Sequence, residues 1–409
     1  MFDLSLAMMS TRDPDVEEVD DDAPTSWKPI RVVAGHALRN TIECHFDERE
    51  DIKDRLKVLI ESMIAIANDA DDSLSCDRMN YTVLATTFES AGVDVVPYVS
   101  LVGGHLFQCC ISDLNEGGDL LSSAAFKTMN SLGENIEGLL DELESAEADD
   151  EDALPSGWDV IQALAVIEKA FDQMADILLR LYTTPDIEYH PDVGSMIRCI
   201  LSFISPVRED DEVPLTPSEQ YRIKSSLGEK ARNVAFLFCN SLSGSVDDLI
   251  QADDEFPTFV LLAKYCSRHE GFFTKSQDGP QTSPFEALMQ LAFPLMESGI
   301  GRAPKAACRI LISLFNHKKD DWDESFLEQC VTSTLACASY SVSDFQLAQM
   351  TYLLSHVVVR NVELAINASR NAGSLGDLLI VFNKGMPNIN RTRGQKIAVW
   401  AALRLVNMI

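Results

Sequence analysis

The chain has 409 residues, of which 64 are acidic and 33 are basic, and its formal net charge at pH 7 is −31. A protein this acidic repels nucleic-acid phosphates and anionic membranes, so direct nucleic-acid binding is not expected and basic partners are favoured. The hydrophobic fraction of 46% is high enough for a packed core.

The amino-terminal residues and the cysteines indicate a reducing compartment. The first residues lack a basic region, so neither a secretory signal nor a transit peptide is expected. We find no run that approaches about 18 uncharged apolar residues, and therefore expect no membrane span. The ten cysteines lie mostly in apolar helical segments, which is typical of buried free thiols. These features predict a protein of the cytoplasm and nucleus.

The chain begins with an acidic segment. Residues 13–22 contain seven carboxylates in ten positions, and we predict that residues 1–25 form a mostly disordered tail because like charges repel. From Ser26 onward, apolar residues recur at steps of three and four, which places them on one face of a helix. The first such stripe consists of Ile52, Leu56, Leu59, Met63 and Ile66.

Two further acidic segments, near 141–155 and 205–217, are predicted as loops. Residues 141–152 contain eight carboxylates in twelve positions. Between the loops, 158–182 is predicted as the longest uninterrupted helix. Its stripe consists of Val160, Ile161, Leu164, Ile167, Phe171, Met174, Leu178 and Leu181. After the second loop, Thr216 and Glu219 predict a capping box that begins a helix of about 25 residues.

The stretch Gly299–His317 indicates how the later helices pack. Two glycines and a proline precede a helix in which Ala306 and Ala307 allow close approach of a neighbour. An apolar run follows, and it needs partners on more than one side: Ile310, Leu311, Ile312, Leu314 and Phe315. This combination predicts the inner helix of a stacked helical hairpin.

The remaining helices complete an all-helical pattern. They are predicted around Phe256–Ser267, Pro284–Glu297, Glu324–Ser339, Asp344–His356, Leu375–Asn383 and Gln395–Val406. Strand-like alternation is nearly absent, and amphipathic helix pairs recur at a period of about 40–47 residues. We predict an all-α fold, namely a superhelical HEAT/armadillo-like α-solenoid of antiparallel helix pairs that is continuous over residues 26–409.

Catalytic and metal-binding motifs are missing from the sequence. No P-loop, dinucleotide fingerprint, nucleophile elbow or zinc-protease motif occurs. The seven histidines have no paired helical spacing, and no C-x-x-C motif is present. We therefore predict a protein that is not an enzyme and takes no cofactor or metal. An all-α enzyme is the alternative, and it would need a pocket in which distant titratable groups converge.

Basic residues gather at the starts of two late helices, against the acidic background. One interpretation is a row of inner-helix contacts for an acidic partner, and the other is solvated faces and ladders between repeats. The residues concerned are Arg302, Lys305, Arg309, Arg391, Arg393 and Lys396.

Two short segments carry a resemblance to a known family. They are SLGENIEGLL at residues 131–140 and RAPKAA at residues 302–307. With them, the sequence from about Ser26 to Ile409 resembles the importin-β superfamily of nuclear transport receptors, especially the transportin-SR and importin-13 type. The resemblance implies a HEAT superhelix whose acidic inner face holds basic protein cargo, with the Ran GTPase in its GTP form controlling loading or release and nucleoporins as further partners.

The chain also departs from that family. It is shorter than these receptors, the amino-terminal Ran-binding repeats are not recognisable, and no binding residues carry over one by one. The alternative function is a different HEAT or armadillo scaffold that organises a multiprotein complex.

Overall fold

The computed structural model describes residues 2–11, 28–46, 50–68, 77–117, 120–149, 154–155, 157–182, 191–204, 214–242, 256–268, 284–317, 322–340, 343–373, 375–389 and 392–408. These residues form α-helices, short 3-10 segments and turns, with no β-strand among them. The prediction of an all-α fold is therefore confirmed.

The helices of the first part of the chain are α1 (Phe2–Met9), α2 (Lys28–His45), α3 (Glu50–Lys53), α4 (Leu56–Ala67), α5 (Asp77–Ala91), α6 (Val99–Asn115), α7 (Ala124–Asp149), α8 (Val160–Tyr182), α9 (Pro191–Ile204), α10 (Pro217–Ile223) and α11 (Leu227–Leu242). The later helices are α12 (Phe256–Arg268), α13 (Pro284–Glu297), α14 (Ala303–His317), α15 (Glu324–Ala338), α16 (Asp344–Arg360), α17 (Val362–Ala372), α18 (Leu375–Gly385) and α19 (Thr392–Met408).

The chain divides into two compact units, Met1–Ala231 and Arg232–Ile409. In the first unit, α2, α5, α7 and α9 pack in succession, and α6, α8 and α10 do the same. Neighbouring helices join the two rows as hairpins, for example α6 with α7 and α8 with α9. Helix α7, for example, contacts both the next helix, α8, and the next but one, α9.

The second unit repeats this arrangement. Helices α12, α14 and α16 pack in succession, with α18 and α19 both against α16, while α13, α15 and α17 form the other row. The pairs α13/α14 and α15/α16 are hairpins between the rows. Two rows linked by hairpins occur within each unit, and a single solenoid over residues 26–409 stays a prediction.

One contact between successive helices of a row recurs at a fixed offset. A guanidinium N–H of Arg360 in α16 donates to the carbonyl of Phe315 near the end of α14, at 2.7 Å. Arg404 in α19 donates in the same way to the carbonyl of Val359 near the end of α16. Cations favour helix C-termini, where carbonyls carry partial negative charge. Each bond spans 45 residues, and the second is displaced from the first by 44 residues of sequence.

The amino-terminal prediction is wrong over its first residues. Phe2–Met9 forms α1, which packs against α2, and Met9 is buried. Arg55 also forms an ion pair with Asp3. The apolar residues that precede the acidic block therefore form a helix that packs against the rest of the first unit. Residues 12–27, which include that block, lie outside the described residues.

The acidic loop predicted near 141–155 is wrong over residues 141–149. Helix α7 continues to Asp149, and its 26 residues make it longer than α8, which has 23. The segment is rich in Glu, Ala and Leu, whose intrinsic helix preference outweighs the repulsion between carboxylates. Of the second predicted loop, residues 205–213 lie outside the described residues, and 214–216 precede α10.

The capping box at Thr216 is confirmed, but the helix that follows it is shorter than predicted. The Thr216 side chain accepts from the backbone N–H of Glu219, and the Glu219 side chain accepts from the N–H of Thr216. The chain then leaves the helix at Lys224 and begins α11 at Leu227. Ser225 explains the break, because its hydroxyl accepts from the Leu227 N–H and so competes with helix continuation.

The predicted apolar stripes are mostly confirmed. All five residues from Ile52 to Ile66 are buried, although they are divided between α3 and α4. In α8, six of the eight predicted residues are buried, Val160 is half-buried and Ile161 is 38% exposed. The seven α14 residues that were predicted to pack, from Ala306 to Phe315, are all buried, which confirms that this helix has neighbours on more than one side. Helix α17, which begins at an Asn361 cap, was not predicted.

One helical stretch is long and apolar enough to be a candidate membrane span. Met79–Asn115 covers 37 residues, with a mean hydropathy of 1.4 in its most apolar window. The stretch changes to a 3-10 helix at Gly92–Tyr98, and it packs against α7 and α8 within the first unit. Buried core helices also meet this criterion, so the expectation of no membrane span stays a prediction.

Candidate interaction surfaces

Three of the predicted basic residues lie together at the start of α14. Gly299 and Gly301 have positive φ angles of 63° and 55°, which turn the chain sharply into the helix. Arg302 and Arg309 are exposed, and Lys305 is half-buried. Their spacing of three and four residues places all three on one side of the helix.

Lys305 already has a partner within the second unit. Its ammonium lies 4.4 Å from the centre of the Phe345 ring, a distance at which a cation and an aromatic face attract. The next residue, Gln346, donates from its side-chain amide to the carbonyl of Gly301 at 2.8 Å. These contacts join the start of α14 to the start of α16, as expected for a ladder between repeats.

The other predicted basic residues belong to a different helix. Lys396 is exposed on α19, which packs against α16 as α14 does. Arg391 lies outside the described residues, and the side chain of Arg393 is not described. A continuous row that includes all six basic residues stays a prediction.

Polar ladders in the first unit were not predicted from the sequence. The Ser195 hydroxyl of α9 donates to the Glu134 carboxylate of α7 at 2.5 Å, and Ser202 donates to Glu137 at 2.6 Å. Arg198 lies 3.6 and 3.5 Å from the same two carboxylates. Glu134 and Glu137 share a helix face in the sequence, but nothing in the sequence identifies α9 as the helix that they meet.

Among the described residues, a cleft between α8 and the α10–α11 turn comes closest to a catalytic arrangement. It has a volume of about 380 Å³ and is open to solvent. The Glu168 carboxylate accepts from Tyr221 and Ser225, each at 2.5 Å, and from Ser226 at 3.3 Å. The exposed Ile161 also lines this cleft.

The hydrogen bonds in this cleft make Glu168 and Tyr221 poor proton-transfer catalysts at neutral pH. Partial burial alone would raise the pKa of Glu168, but the three hydroxyl donors outweigh it and hold the pKa below its usual value. Burial, together with the bond to Glu168, raises the pKa of Tyr221 to about 12. Neither group titrates near neutrality, so the arrangement is better suited to holding α8 and α10 together than to catalysis.

This clamp predicts a pH-dependent contribution to stability. Because the pKa of Glu168 is lowered in the folded state, its contribution is complete above the ordinary value of 4.5 and is lost as the pH falls below it. Glu168→Gln is expected to lower the free energy of unfolding at pH 7 by about 1 kcal/mol, a value reduced for solvent screening. Urea titrations of both proteins between pH 7 and pH 3.5 measure the difference, which should shrink on acidification. A constant difference would contradict the charged clamp.

Four of the described cysteines have thiols that lack activation. Burial raises the pKa values of Cys110, Cys199, Cys308 and Cys330, so these groups are protonated at neutral pH. Cys330 and Cys337 were predicted as core residues, and both are buried. Within the described ranges, no three His, Cys, Asp or Glu side chains lie close enough together to hold a metal ion.

Comparisons with known proteins do not assign a family. No protein-family model matches the chain, and no curated protein is significantly similar to it.

Proposed function

We propose that the chain is a non-enzymatic, protein-binding scaffold built as a HEAT/armadillo-like α-solenoid. The observation that carries the proposal is the arginine–carbonyl contact that links α14 to α16 and recurs, 44 residues later, between α16 and α19. Stacking of equivalent helical repeats produces contacts at a fixed offset. Arrays of this kind bind other proteins through extended rows of helices rather than through a single deep pocket.

The net charge supports a protein partner. At −31, the chain attracts basic surfaces over long distances and repels polyanions. In the Glu168 cleft, the most enzyme-like feature of the described residues, neither Glu168 nor Tyr221 titrates near pH 7. Protein cargo with a basic surface therefore remains the favoured partner.

A nuclear transport receptor, or a part of one, is the more specific form of this proposal. Both segments that carry the resemblance are packing segments in the structure. A Cβ added at Gly133 would lie 3.4 Å from the Met174 sulfur, and Ala306 and Ala307 are buried in α14. The resemblance is thus accounted for by close helix packing, which supports HEAT-like stacking. Cargo, Ran and nucleoporin binding rest on the resemblance alone.

Two measurements separate the alternatives. Purified chain titrated with Ran in its GTP and GDP forms should bind the GTP form selectively if it is a transport receptor. If it is another scaffold, native mass spectrometry of the complex isolated from its source cells should find a stable stoichiometric partner without nucleotide dependence. A chain that shows neither behaviour would contradict the proposed function.

A further inference from the structure

Helix α19 has two apolar faces on opposite sides. The face against α16 consists of small residues and one leucine, namely Gly394, Ala398, Ala401 and Leu405, all buried. The other face, here called the α19 stripe, consists of Val399, Trp400, Leu403 and Val406, which are 49, 57, 58 and 72% exposed. At about 100° per residue, the two sets lie on opposite sides of the helix. A helix that is apolar on both sides is normally covered on both.

Two positions on this side of α19 correspond to positions through which α16 contacts α19. On α16, Tyr352 packs into the small core cluster shared with α19, and the carbonyl of Val359 accepts from Arg404. The residues 44 positions later are Lys396 and Leu403. By the offset that relates the two arginine contacts, Lys396 and Leu403 therefore lie where a further stacked helix would contact α19. The stripe around Leu403 is exposed, and no other described helix covers it.

One position distinguishes this face from the stacking faces before it. Counting back by the same offset, Lys396 corresponds to the half-buried Tyr352 of α16 and to the buried Cys308 of α14. Lys396 is exposed and lies at one end of the stripe. A covering helix without a carboxylate at this point would bury the ammonium unpaired, and burying an unpaired charge is costly. The occupant must therefore supply a negative charge at that end.

The surrounding charge agrees with this requirement. Residues 378–409 contain no acidic residue, while the whole chain has a net charge of −31. The basic residues in that segment are Lys384, Arg391, Arg393, Lys396 and Arg404. Two copies that met through α19 would bring like charges together, and an anionic membrane would be repelled by the rest of the chain. A helix with carboxylates beside its apolar face complements the stripe.

We infer that the α19 stripe, with Lys396 at its end, docks an acidic amphipathic helix from a partner protein. From Lys396 to Val406 the surface extends about 15 Å, or roughly three helical turns. The partner helix carries Ala and Leu on one face and Asp or Glu beside it, since α19 itself uses small residues for its close approach to α16. The inference rests on the proposed function and names a class of partner for it.

Peptide binding to the full chain tests this docking site. The probe is a fluorescein-labelled, end-capped peptide of about 20 residues, long enough for helix formation, with Ala and Leu on one face and Glu on the other. The comparison peptide has Lys in place of each Glu. Fluorescence anisotropy measures both affinities, and we expect at least tenfold tighter binding of the Glu peptide. Binding should also shift the emission of Trp400 to shorter wavelength, and Trp400→Phe should remove that shift.

Three variants locate the binding. Leu403→Asp is expected to weaken binding of the Glu peptide at least tenfold. Lys396→Glu should weaken it several-fold and make its affinity less dependent on salt. Val33→Asp is the matched control, because Val33 is 68% exposed on α2 in the first unit. This variant should bind the Glu peptide with the same affinity as the unchanged chain. Circular dichroism of each variant verifies its helical content.

Several results would overturn the inference. With the peptides, these are no binding of the Glu peptide, binding of the Lys peptide that is equally tight or tighter, and a loss of affinity in Val33→Asp as large as that in Leu403→Asp. Without the peptides, they are binding to phosphatidylserine vesicles that depends on Leu403, and self-association that Leu403→Asp abolishes. A stoichiometric cellular partner that Leu403→Asp retains would also overturn it while leaving the proposed function in place. If the chain binds the Glu peptide selectively but has neither a stable cellular partner nor Ran binding, the docking site would stand and the proposed function would be contradicted.

Discussion

Replacing Ala307 with glutamate is expected to lower the free energy of unfolding of the second unit by about 3–5 kcal/mol. Ala307 is fully buried in α14, between small and large apolar neighbours on the same helix. A carboxylate there would lose its hydration, and its extra volume would also force α14 away from the helices that it contacts. Urea denaturation followed by far-UV circular dichroism measures the loss.

Ala336→Glu is the matched control for this change. Ala336 is also a helical alanine, but it is exposed on α15, so the same substitution should alter the free energy of unfolding by no more than about 0.5 kcal/mol. An unchanged denaturation midpoint for Ala307→Glu would show that α14 is not packed on this side. A large loss in both variants would mean that the cost arises from added negative charge rather than from burial.

The contrast between these two alanines shows what periodicity can predict. The apolar run after Ala307 indicated a helix buried on several sides, and its residues are buried, because burial follows from composition whatever the neighbouring helix is. The same reasoning placed Ile161 in the core of α8, yet it is exposed at a cleft. A stripe shows which face is apolar but not how far the neighbouring helix extends along it.

Contacts between helices were less predictable than the helices themselves. Arg360 and Arg404 were not recognised as equivalent, because each donates to a backbone carbonyl, that of Phe315 or of Val359, and not to a characteristic side chain. A carbonyl is present at every position and leaves no mark in the sequence. The acidic end of α7 was predicted as a loop because its charges indicate exposure to solvent. A helix can be exposed as well, so charge alone does not distinguish the two.

Side-chain chemistry at the candidate surfaces was predicted in part. Lys305 was recognised as a basic residue at a helix start, and both an acidic partner and an inter-repeat ladder were considered for it. The aromatic ring that it meets belongs to Phe345, 40 residues later, and only the packing of α16 on α14 brings the two together. The helix that carries the α19 stripe was predicted around Gln395–Val406, but the exposure of the stripe depends on which face of α19 packs against α16.

Gly385→Ala is expected to lower the free energy of unfolding by about 2–3 kcal/mol, although only one methyl group is added. The backbone of Gly385 has φ −87°, an angle that any residue adopts, so conformational freedom does not explain this glycine. A Cβ at this position would lie 2.0 Å from the Thr351 hydroxyl oxygen and 2.5 Å from the carbonyl oxygen of Leu347. The end of α18 therefore touches α16 so closely that an added methyl group must separate the two helices.

A helical glycine elsewhere in the chain supplies the control, because a Cβ at Gly138 of α7 would meet no atom within 4 Å. Gly138→Ala should raise stability by up to about 1 kcal/mol, since alanine loses less conformational entropy on folding. Thr351→Ala combined with Gly385→Ala should recover only part of the loss, because the Leu347 carbonyl belongs to the backbone and cannot be removed. Full recovery in the double variant, measured by urea denaturation, would place the clash at the hydroxyl alone and contradict close contact between the two backbones.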